Sequence, residues 1–254
     1  MAKVISVFNQ KGGVGKTTVS INIAAGLSRK NKSVLLLDID PQSNCSSGIN
    51  SIEIENGIYE LLSGEVGIDE VIINVKKNLD LLPSTSDLAA LPLEISDETS
   101  NYDLLKNSIS DISDNYDYII IDCPPALGIL SINALAASDS IIVPIQTEYF
   151  ALEGVSKLIE TIEMIKRGVN QKINIEGVLL NMVDSRNNLS KEVIKQVRSY
   201  FGDLVYNTTI PRNVRLAEAP SYSMSIYDYD KISKGARSFK KLIKEILSKE
   251  ADNG

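Results

Sequence analysis

A glycine-rich segment near the start of the chain carries the strongest chemical signal in this sequence. It reads Gln10-Lys-Gly-Gly-Val-Gly-Lys-Thr-Thr18 and lies between an apolar run, residues 3–8, and a helical pattern that starts at Lys16. Glycines let backbone N–H groups surround a phosphate, and the amino end of the following helix adds positive potential. Lys16 would reach the β- and γ-phosphates of a nucleotide, and the Thr17 hydroxyl would bind Mg²⁺. The residues predicted to hold the phosphates are Lys11, Gly12, Gly13, Val14, Gly15, Lys16, Thr17 and Thr18.

The segment departs from the usual phosphate-loop pattern at its first position. That pattern begins with glycine, whereas position 10 is Gln, and a second lysine, Lys11, follows it. Lys11 is hard to direct at phosphates that Lys16 of the same chain already contacts. It could instead reach a phosphate held by a facing subunit. The second lysine therefore indicates a site that two subunits complete.

Three aspartates follow apolar runs that are typical of buried strands. Asp38 and Asp40 follow the run at residues 33–37, and Asp122 ends the run at residues 119–121. In a doubly wound sheet such strand ends lie beside the phosphate loop. Asp122 would hold Mg²⁺ through water, and Asp40 could hold metal-bound water or orient an attacking water. The alternative is structural, namely turn capping by Asp38 and Asp40 and an ordinary strand end at Asp122. The predicted magnesium ligands are Thr17, Asp40 and Asp122.

Strand and helix patterns alternate along the chain, which predicts an α/β fold. We expect a doubly wound, mostly parallel sheet with helices on both faces, of the phosphate-loop NTPase type, as one domain over residues 1–254. The predicted strands cover residues 3–8, 33–38, 79–82, 118–122, 140–145, 175–181 and 204–210. The predicted helices cover residues 16–30, 101–115, 128–137, 151–167, 189–201 and 233–249. Residues 43–75 are the least regular and are expected to form loops and short helices at the rim.

Composition excludes several kinds of chemistry. The chain has no histidine, which rules out histidine acid–base catalysis, histidine triads and histidine metal ligands. Two cysteines, Cys45 and Cys123, are too few for a disulfide framework, and no long apolar run or secretory signal is present. We therefore expect a cytoplasmic protein. The net charge of −7 argues against nucleic acid as a partner of the whole surface, but residues 186–254 carry more basic than acidic side chains.

Six ordered motifs resemble those of one known family. The phosphate loop KGGVGKTT resembles the deviant Walker A motif of the ParA/MinD ATPases, and the resemblance extends over almost the whole chain. The set is most similar to the chromosome-partitioning ParA branch called Soj. The other five motifs are LLLDIDPQSN (35–44), YDYIIIDCPP (116–125), ALEG (151–154), EGVLLNMVD (176–184) and IPRNVRLAEAPS (210–221).

The resemblance implies a particular nucleotide site. It implies an ATP-dependent homodimer in which Lys11 reaches the partner's phosphates and Asp40 is the residue critical for hydrolysis. It implies that Asn181 and the turn containing Pro211 and Asn213 contact adenine, since an Asn amide offers both a donor and an acceptor. A turn-forming role is the alternative for Asn181. The expected enzyme is a weak ATPase whose hydrolysis acts as a timer.

The resemblance also implies partners. Arg186 and Arg215 match arginines that bind double-stranded DNA without sequence specificity, and a second basic cluster near the carboxyl end would contact phosphates. The predicted DNA-binding residues are Arg186, Arg215, Lys231, Lys234, Arg237 and Lys240, with Lys241 and Lys244 in the same cluster. A solvated helix face is the alternative for the lysines. A ParB-type protein would stimulate hydrolysis, and the ATP-bound form would associate with the nucleoid.

Three other functions stay open at this point. The last helical pattern has an apolar stripe opposite its lysines, as in a membrane-surface helix, so a MinD-like membrane-positioning ATPase is the main alternative. We expect this stripe to pack on the sheet instead, with no stable membrane insertion. A relative of the nitrogenase iron protein would need paired cysteines between subunits, and neither Cys45 nor Cys123 stands at a convincing position. A binding module without hydrolysis is the third, and the presence of Asp40 argues against it.

Overall fold

A computed structural model describes the backbone of residues 1–95, 99–148 and 151–253 and the side chains of residues 1–95, 101–148 and 157–250. In these residues, seven strands form one sheet. The strands are β1 (Lys3–Val7), β2 (Val34–Asp38), β3 (Ile73–Lys76), β4 (Leu79–Leu82), β5 (Tyr118–Asp122), β6 (Ser140–Gln146) and β7 (Asn174–Asn181). Their order is β3-β4-β2-β5-β1-β6-β7. β3 pairs antiparallel with β4, and the other neighbouring pairs are parallel.

Helices cover both faces of this sheet. The α-helices are α1 (Lys16–Ser28), α2 (Asn44–Ile49), α3 (Ile58–Ser63), α4 (Ile68–Val71), α5 (Leu91–Glu94), α6 (Leu104–Ser110), α7 (Ile129–Ala137), α8 (Ala151–Gly168), α9 (Asn188–Phe201), α10 (Val214–Glu218), α11 (Ile226–Tyr229) and α12 (Lys234–Asn253). Short 3₁₀ turns lie at Ser86–Ala89, Thr99–Asp103, Ser113–Asn115, Gly202–Leu204 and Ala219–Tyr222. The side chains of the ALEG segment, residues 151–154, lie outside the described ones.

Alternate side chains of the central strands pack into two separate hydrophobic cores, one on each face of the sheet. In β2, Leu35 and Leu37 belong to the core under α3, α6, α7, α8 and α9, whereas Val34 and Leu36 belong to the core under α1, α2, α11 and α12. All four leucine and valine side chains are fully buried. Strands buried on both faces have this continuous apolar sequence, because helices cover each side of a parallel sheet. The prediction of a mostly parallel sheet with helices on both faces is confirmed.

The carboxyl edge of the sheet brings the predicted site residues together. Val7 of β1 and Asp38 of β2 both lie in register with Asp122 of β5, which is the strand between them. The glycine-rich loop leaves β1 at this edge and enters α1. Ligands of open α/β sheets bind outside the carboxyl ends of the strands, so the register fixes where a nucleotide would lie.

Several local predictions differ from the structure. Residues 204–210 contain a single isolated bridge, between Val205 and Val178, rather than the predicted strand. The helix predicted at 101–115 is interrupted, with α6 flanked by two 3₁₀ turns. The edge strand β3 begins at Ile73, inside the stretch 43–75 that was expected to form loops and short helices. In the described part of the chain, no helix combines the length and apolarity that crossing a bilayer requires.

Candidate active site

The phosphate loop adopts the open backbone that its glycines permit. Gly13 and Gly15 have positive φ angles, 75° and 85°, where side chains are strongly disfavoured. A Cβ on Gly15 would also lie 2.6 Å from Asn181 Nδ2. α1 begins at the next residue with no acidic side chain in its first turn, so its free N–H groups face the loop unopposed. The loop is therefore shaped to receive an anion.

Two asparagines that flank the sheet edge hold this loop in place. Asn9 Oδ1 accepts a hydrogen bond from the Lys11 amide at 2.9 Å, and its Nδ2 donates to the Pro144 carbonyl at 2.8 Å. Asn181 Nδ2 donates to the Val14 carbonyl at 2.7 Å. Asn9 was not predicted from the sequence, because an asparagine at a strand end has no distinctive pattern.

The two lysines of the loop lie in different surroundings. Lys16 is buried, with 7% of its surface exposed, and burial lowers the pKa of its ammonium although Asp122, Cys123 and Asp40 favour the charge. Lys11 is half-buried, and within the described residues its side chain has no hydrogen-bond or ion-pair partner. Lys16 is thus fixed beside the strand ends, and Lys11 remains available to another group.

Asp122 is joined directly to the start of α1. Thr17 Oγ1 donates to Asp122 Oδ2 at 2.8 Å, and Ser20 Oγ donates to Oδ1, also at 2.8 Å. Burial raises the pKa of the Asp122 carboxyl, and the neighbouring Asp38 raises it further. Ser20 was not predicted from the sequence; it lies one helical turn after Lys16, on the side of α1 that faces β5. The structure therefore brings the predicted ligands Thr17 and Asp122 into contact.

Asp38 and Asp40 have different roles in the structure. Asp38 is fully buried, and its Oδ2 accepts from the Ser46 amide at 2.8 Å and the Ser46 hydroxyl at 2.7 Å. It also accepts from the Asp40 amide at 3.1 Å, so Asp38 holds the loop after β2. Asp40 Oδ1 accepts from the Gln42 amide at 3.0 Å, whereas Oδ2 receives no hydrogen bond from the described residues. Both aspartates thus make the turn contacts that the structural alternative predicts, and Asp40 keeps one oxygen free.

A cavity of about 320 Å³ lies beside the phosphate loop. Its volume falls at the lower end of the range for small-molecule sites. The Asn181 side chain contacts the Val14 carbonyl and the Met182 amide, and the Asn213 side chain caps α10 by accepting from the Arg215 amide at 2.9 Å. Both asparagines are therefore oriented by backbone contacts. Residues lining the cavity include Thr18, Asn181, Met182, Pro211, Asn213 and Leu216.

The predicted basic residues lie in two groups, and all of them are exposed. In the loops, Arg186 forms a two-pronged contact with Asp184 at 3.1 and 3.2 Å, and Arg215 pairs with Glu218 at 2.9 Å. Four further predicted residues, Lys231, Lys234, Arg237 and Lys240, lie on or just before α12. Those of α12 recur every third residue and so share one face of the helix.

Comparison with known proteins identifies relatives over the whole chain. The model of a family described as "AAA domain" matches residues 2–175. The chain is 48% identical to the sporulation initiation inhibitor protein Soj of Bacillus subtilis, over 98% of this chain and 99% of that protein. It is 45% identical to the chromosome-partitioning ATPase Soj of Treponema pallidum, over 98% and 99%.

A solved structure has the same architecture. A cobyrinic acid a,c-diamide synthase of Mycobacterium smegmatis, bound to ADP and magnesium, matches with a TM-score of 0.86 and 30% identity over 100% of this chain and 97% of that one. The identity to the two Soj proteins is much higher over the same length. The arrangement of the phosphate loop, Asp122 and the cavity is consistent with a nucleotide site. On the identity to the two Soj proteins, we conclude that the chain belongs to the ParA/Soj family of chromosome-partitioning ATPases.

Proposed function

We propose that this protein is an ATP-driven partitioning switch. It binds ATP with Mg²⁺, forms a homodimer around the nucleotide, and as a dimer binds double-stranded DNA without sequence specificity. A ParB-type partner stimulates hydrolysis, and hydrolysis releases both the DNA and the second subunit. The observation that carries the proposal is the pairing of a buried Lys16 with a partner-free Lys11 on one phosphate loop.

The chain's own groups divide the work of phosphate binding and hydrolysis. The loop amides and the amino end of α1 bind the phosphates, because they are unopposed hydrogen-bond donors in a positive potential. Lys16 neutralises charge at the β- and γ-phosphates from a buried position, where its interaction is less screened by water. Asp40 uses its free oxygen to orient the attacking water, while its other oxygen fixes the side chain on the Gln42 amide.

The donors at the end of β5 fit a magnesium ion. Asp122 is a buried carboxylate beside a second buried carboxylate, Asp38, so a cation lowers the repulsion between them. Hydroxyl and carboxylate oxygens are also the ligand types that Mg²⁺ prefers. When bound, Mg²⁺ would be held by Thr17, with Asp122 and Asp40 acting through water, and would neutralise charge on the phosphates. The Thr17–Asp122 hydrogen bond already orients both groups toward one place.

Lys11 supplies the link between hydrolysis and dimer formation. Its own loop already presents Lys16 to the phosphates, so a second cation is useful only to a nucleotide on the facing subunit. Dimerisation then completes each site, and hydrolysis weakens the dimer. We expect Lys11→Ala to abolish ATP-dependent dimerisation in size-exclusion chromatography with light scattering, while ATP still binds. Lys77→Ala, at an exposed lysine of the β3–β4 turn, is the matched control, and equal dimer formation by both variants would refute this role.

The DNA step is tested by co-sedimentation with ATP and with ADP. Arg215 binds a phosphate by exchanging its exposed contact with Glu218, which surrounding water screens. We expect DNA binding by the wild type with ATP only, a strong loss for Arg215→Glu, and lasting DNA binding for Asp40→Ala because the ATP state persists. Equal DNA binding with ATP and ADP would refute the proposed switch.

The buried face of α12 disfavours the membrane alternative. Phe239, Leu242, Ile243 and Ile246 are at most 1% exposed, since they form part of the core against α1 and the sheet. This stripe therefore has no free apolar face to insert between lipids. Flotation with anionic liposomes that requires ATP would nevertheless favour the membrane function over the DNA function.

The two thiols disfavour the iron-protein alternative. Cys45 and Cys123 are buried, with 0% and 1% exposure, so neither is at a surface where a second subunit could share a cluster.

The remaining alternative, a binding module without hydrolysis, is tested by measuring phosphate release from the wild type in the presence of DNA and a ParB-type protein. Absence of phosphate release would favour that alternative.

A further inference from the structure

A basic cavity lies between α1 and α12, near the carboxyl end of α1, whereas the phosphate loop lies at its amino end. It measures about 220 Å³. Its floor consists of Gly26, Tyr227 and Ile243, and four cationic side chains surround it: Arg29, Lys30, Lys240 and Lys244. Among the described side chains, no acidic one lines it. In a chain with a net charge of −7, such a concentration of positive charge indicates an anionic ligand.

The hydroxyl of Tyr227 is the second observation that indicates a ligand. Tyr227 is 3% exposed, and its Oη has no hydrogen-bond partner among the described residues. Tyr227 and Gly26 both line the cavity, and a Cβ added to Gly26 would lie 2.6 Å from this oxygen and 2.6 Å from Ile243 Cγ1. Buried hydroxyls are almost always hydrogen-bonded, so the site lacks an acceptor that a bound group could supply.

The cations around the cavity are unequally engaged. Arg29 pairs with Asp228 at 3.1 Å and lies over the Tyr227 ring at 5.6 Å, and Asp228 is shared with Lys76 at 2.5 Å. Lys240 Nζ lies 3.4 Å from the Lys231 carbonyl. The side chains of Lys30 and Lys244 are exposed and have no ion-pair or hydrogen-bond partner within the described ranges. Two cations at the rim are therefore free to contact an anion.

The shape and surroundings of the cavity favour a polymer over a compact metabolite. Its volume is below the usual range for drug-sized ligands, so it admits little more than one phosphate and a sugar. Lys234, Arg237, Lys240 and Lys244 form a row of exposed cations on α12 that is about 15 Å long, at a rise of about 1.5 Å per residue. The cavity is the end of that row. A row of this length complements a chain of phosphates.

We propose that this α1–α12 cavity anchors one phosphate of the DNA backbone, with Lys30 and Lys244 as charged contacts and Tyr227 as the hydrogen-bond donor. The inference rests on the proposed function, in which the ATP-bound dimer binds DNA, and it adds α1 to the DNA-binding surface. α1 would then contact nucleotide at its first turn, and Lys30, two residues after its end, would contact DNA, about 20 Å away at a rise of about 1.5 Å per residue. One rigid helix would connect the two ligands.

The test compares DNA affinity over a range of salt concentrations, with a non-hydrolysable ATP analogue bound. We expect Lys30→Gln/Lys244→Gln to make the salt dependence shallower by about 0.9, because one phosphate contact is lost, which is roughly eightfold in affinity at 0.1 M salt. We expect Tyr227→Phe to weaken binding with an unchanged salt dependence, because the lost contact is uncharged. Lys106→Gln/Lys166→Gln is the matched control, since these lysines lie on α6 and α8 across the sheet.

Three results would overturn the inference. If Lys30→Gln/Lys244→Gln binds DNA like the control while the wild type binds normally, the cavity does not contact DNA and the proposed function still stands. If inorganic phosphate raises the melting temperature of the analogue-bound wild type but not of this variant, and DNA binding is unchanged, the cavity takes free phosphate instead. If the wild type does not bind DNA in any nucleotide state, the proposed function itself fails and the inference fails with it.

Discussion

Three glycines of the phosphate loop differ in only two structural respects, which makes them a controlled experiment. Gly12 has an ordinary φ and open space where a Cβ would stand. Gly13 has a φ of 75° and the same open space. Gly15 has a φ of 85°, and its Cβ would lie 2.6 Å from Asn181 Nδ2. Substituting alanine at each position separates backbone strain from steric overlap.

The expected effects follow from known costs. Alanine reduces the entropy of the unfolded chain and so stabilises by about 0.4–1 kcal/mol where the backbone tolerates it, which predicts a small gain for Gly12→Ala. A positive φ costs alanine about 1–2 kcal/mol, so Gly13→Ala has a net loss of about 1 kcal/mol. Gly15→Ala also displaces Asn181 from the Val14 carbonyl, which adds about 1 kcal/mol for the lost hydrogen bond. Its total loss is about 2–3 kcal/mol with crowding included.

Urea unfolding of the nucleotide-free protein measures these differences. We expect the unfolding midpoints to fall in the order Gly12→Ala, Gly13→Ala, Gly15→Ala, with unchanged slopes of free energy against urea. Equal midpoints for the Gly13 and Gly15 variants would show that Asn181 is not held against the loop. Equal midpoints for all three alanine variants would also refute backbone strain at Gly13 and Gly15.

Three further predictions concern the framework around the site. Phe239→Ala, at a fully buried position on α12, should lower the free energy of unfolding by about 3–5 kcal/mol in urea, and a loss below about 1 kcal/mol would contradict the packing of α12 on the sheet. Gly177→Ala should cost about 1–3 kcal/mol in the same assay, because its Cβ would overlap the Tyr206 ring, and a neutral result would mean that the ring moves freely. Burial opposes the charge of Asp228, but hydrogen bonds from Lys76 and a neighbouring serine outweigh it and place the pKa of this carboxyl below its ordinary value. Asp228→Asn should therefore cost about 1 kcal/mol at pH 7. That difference, followed by urea unfolding against pH, should disappear as the pH falls below about 4, and a difference that persists there would refute the role of charge.

Local sequence patterns predicted the central elements because each contains its own signal. β2 and β5 are continuous apolar runs that end in aspartate, and α1 follows a glycine-rich turn. The final helix was also predicted, since its lysines and apolar residues alternate at helical spacing. These signals depend only on neighbours in the chain, so a single sequence is enough to detect them.

The wrong strand at residues 204–210 shows what such signals omit. The segment lies alongside β7, and the amides of Tyr206 and Ile210 donate hydrogen bonds to the carbonyls of Val178 and Leu180. The amides between them, at residues 207 and 208, donate instead to the carboxylate of Glu245 on α12, at 2.6 and 2.9 Å. A side chain almost 40 residues away thus interrupts the ladder, and no local pattern reports that competition.

The groups that could do chemistry are visible in the residue order alone: a phosphate loop with two lysines, an aspartate at the end of each of two apolar strands, and a surplus of basic residues near the carboxyl end. Those features depend on residue type and short spacing. Long-range contacts had to be seen to learn that Asp38 holds a loop through Ser46 while Asp40 Oδ2 accepts no hydrogen bond from the described residues, and that the apolar stripe of α12 is buried. It also placed Lys30 beside Lys244, because parallel strands and their crossovers bring together residues that are far apart along the chain.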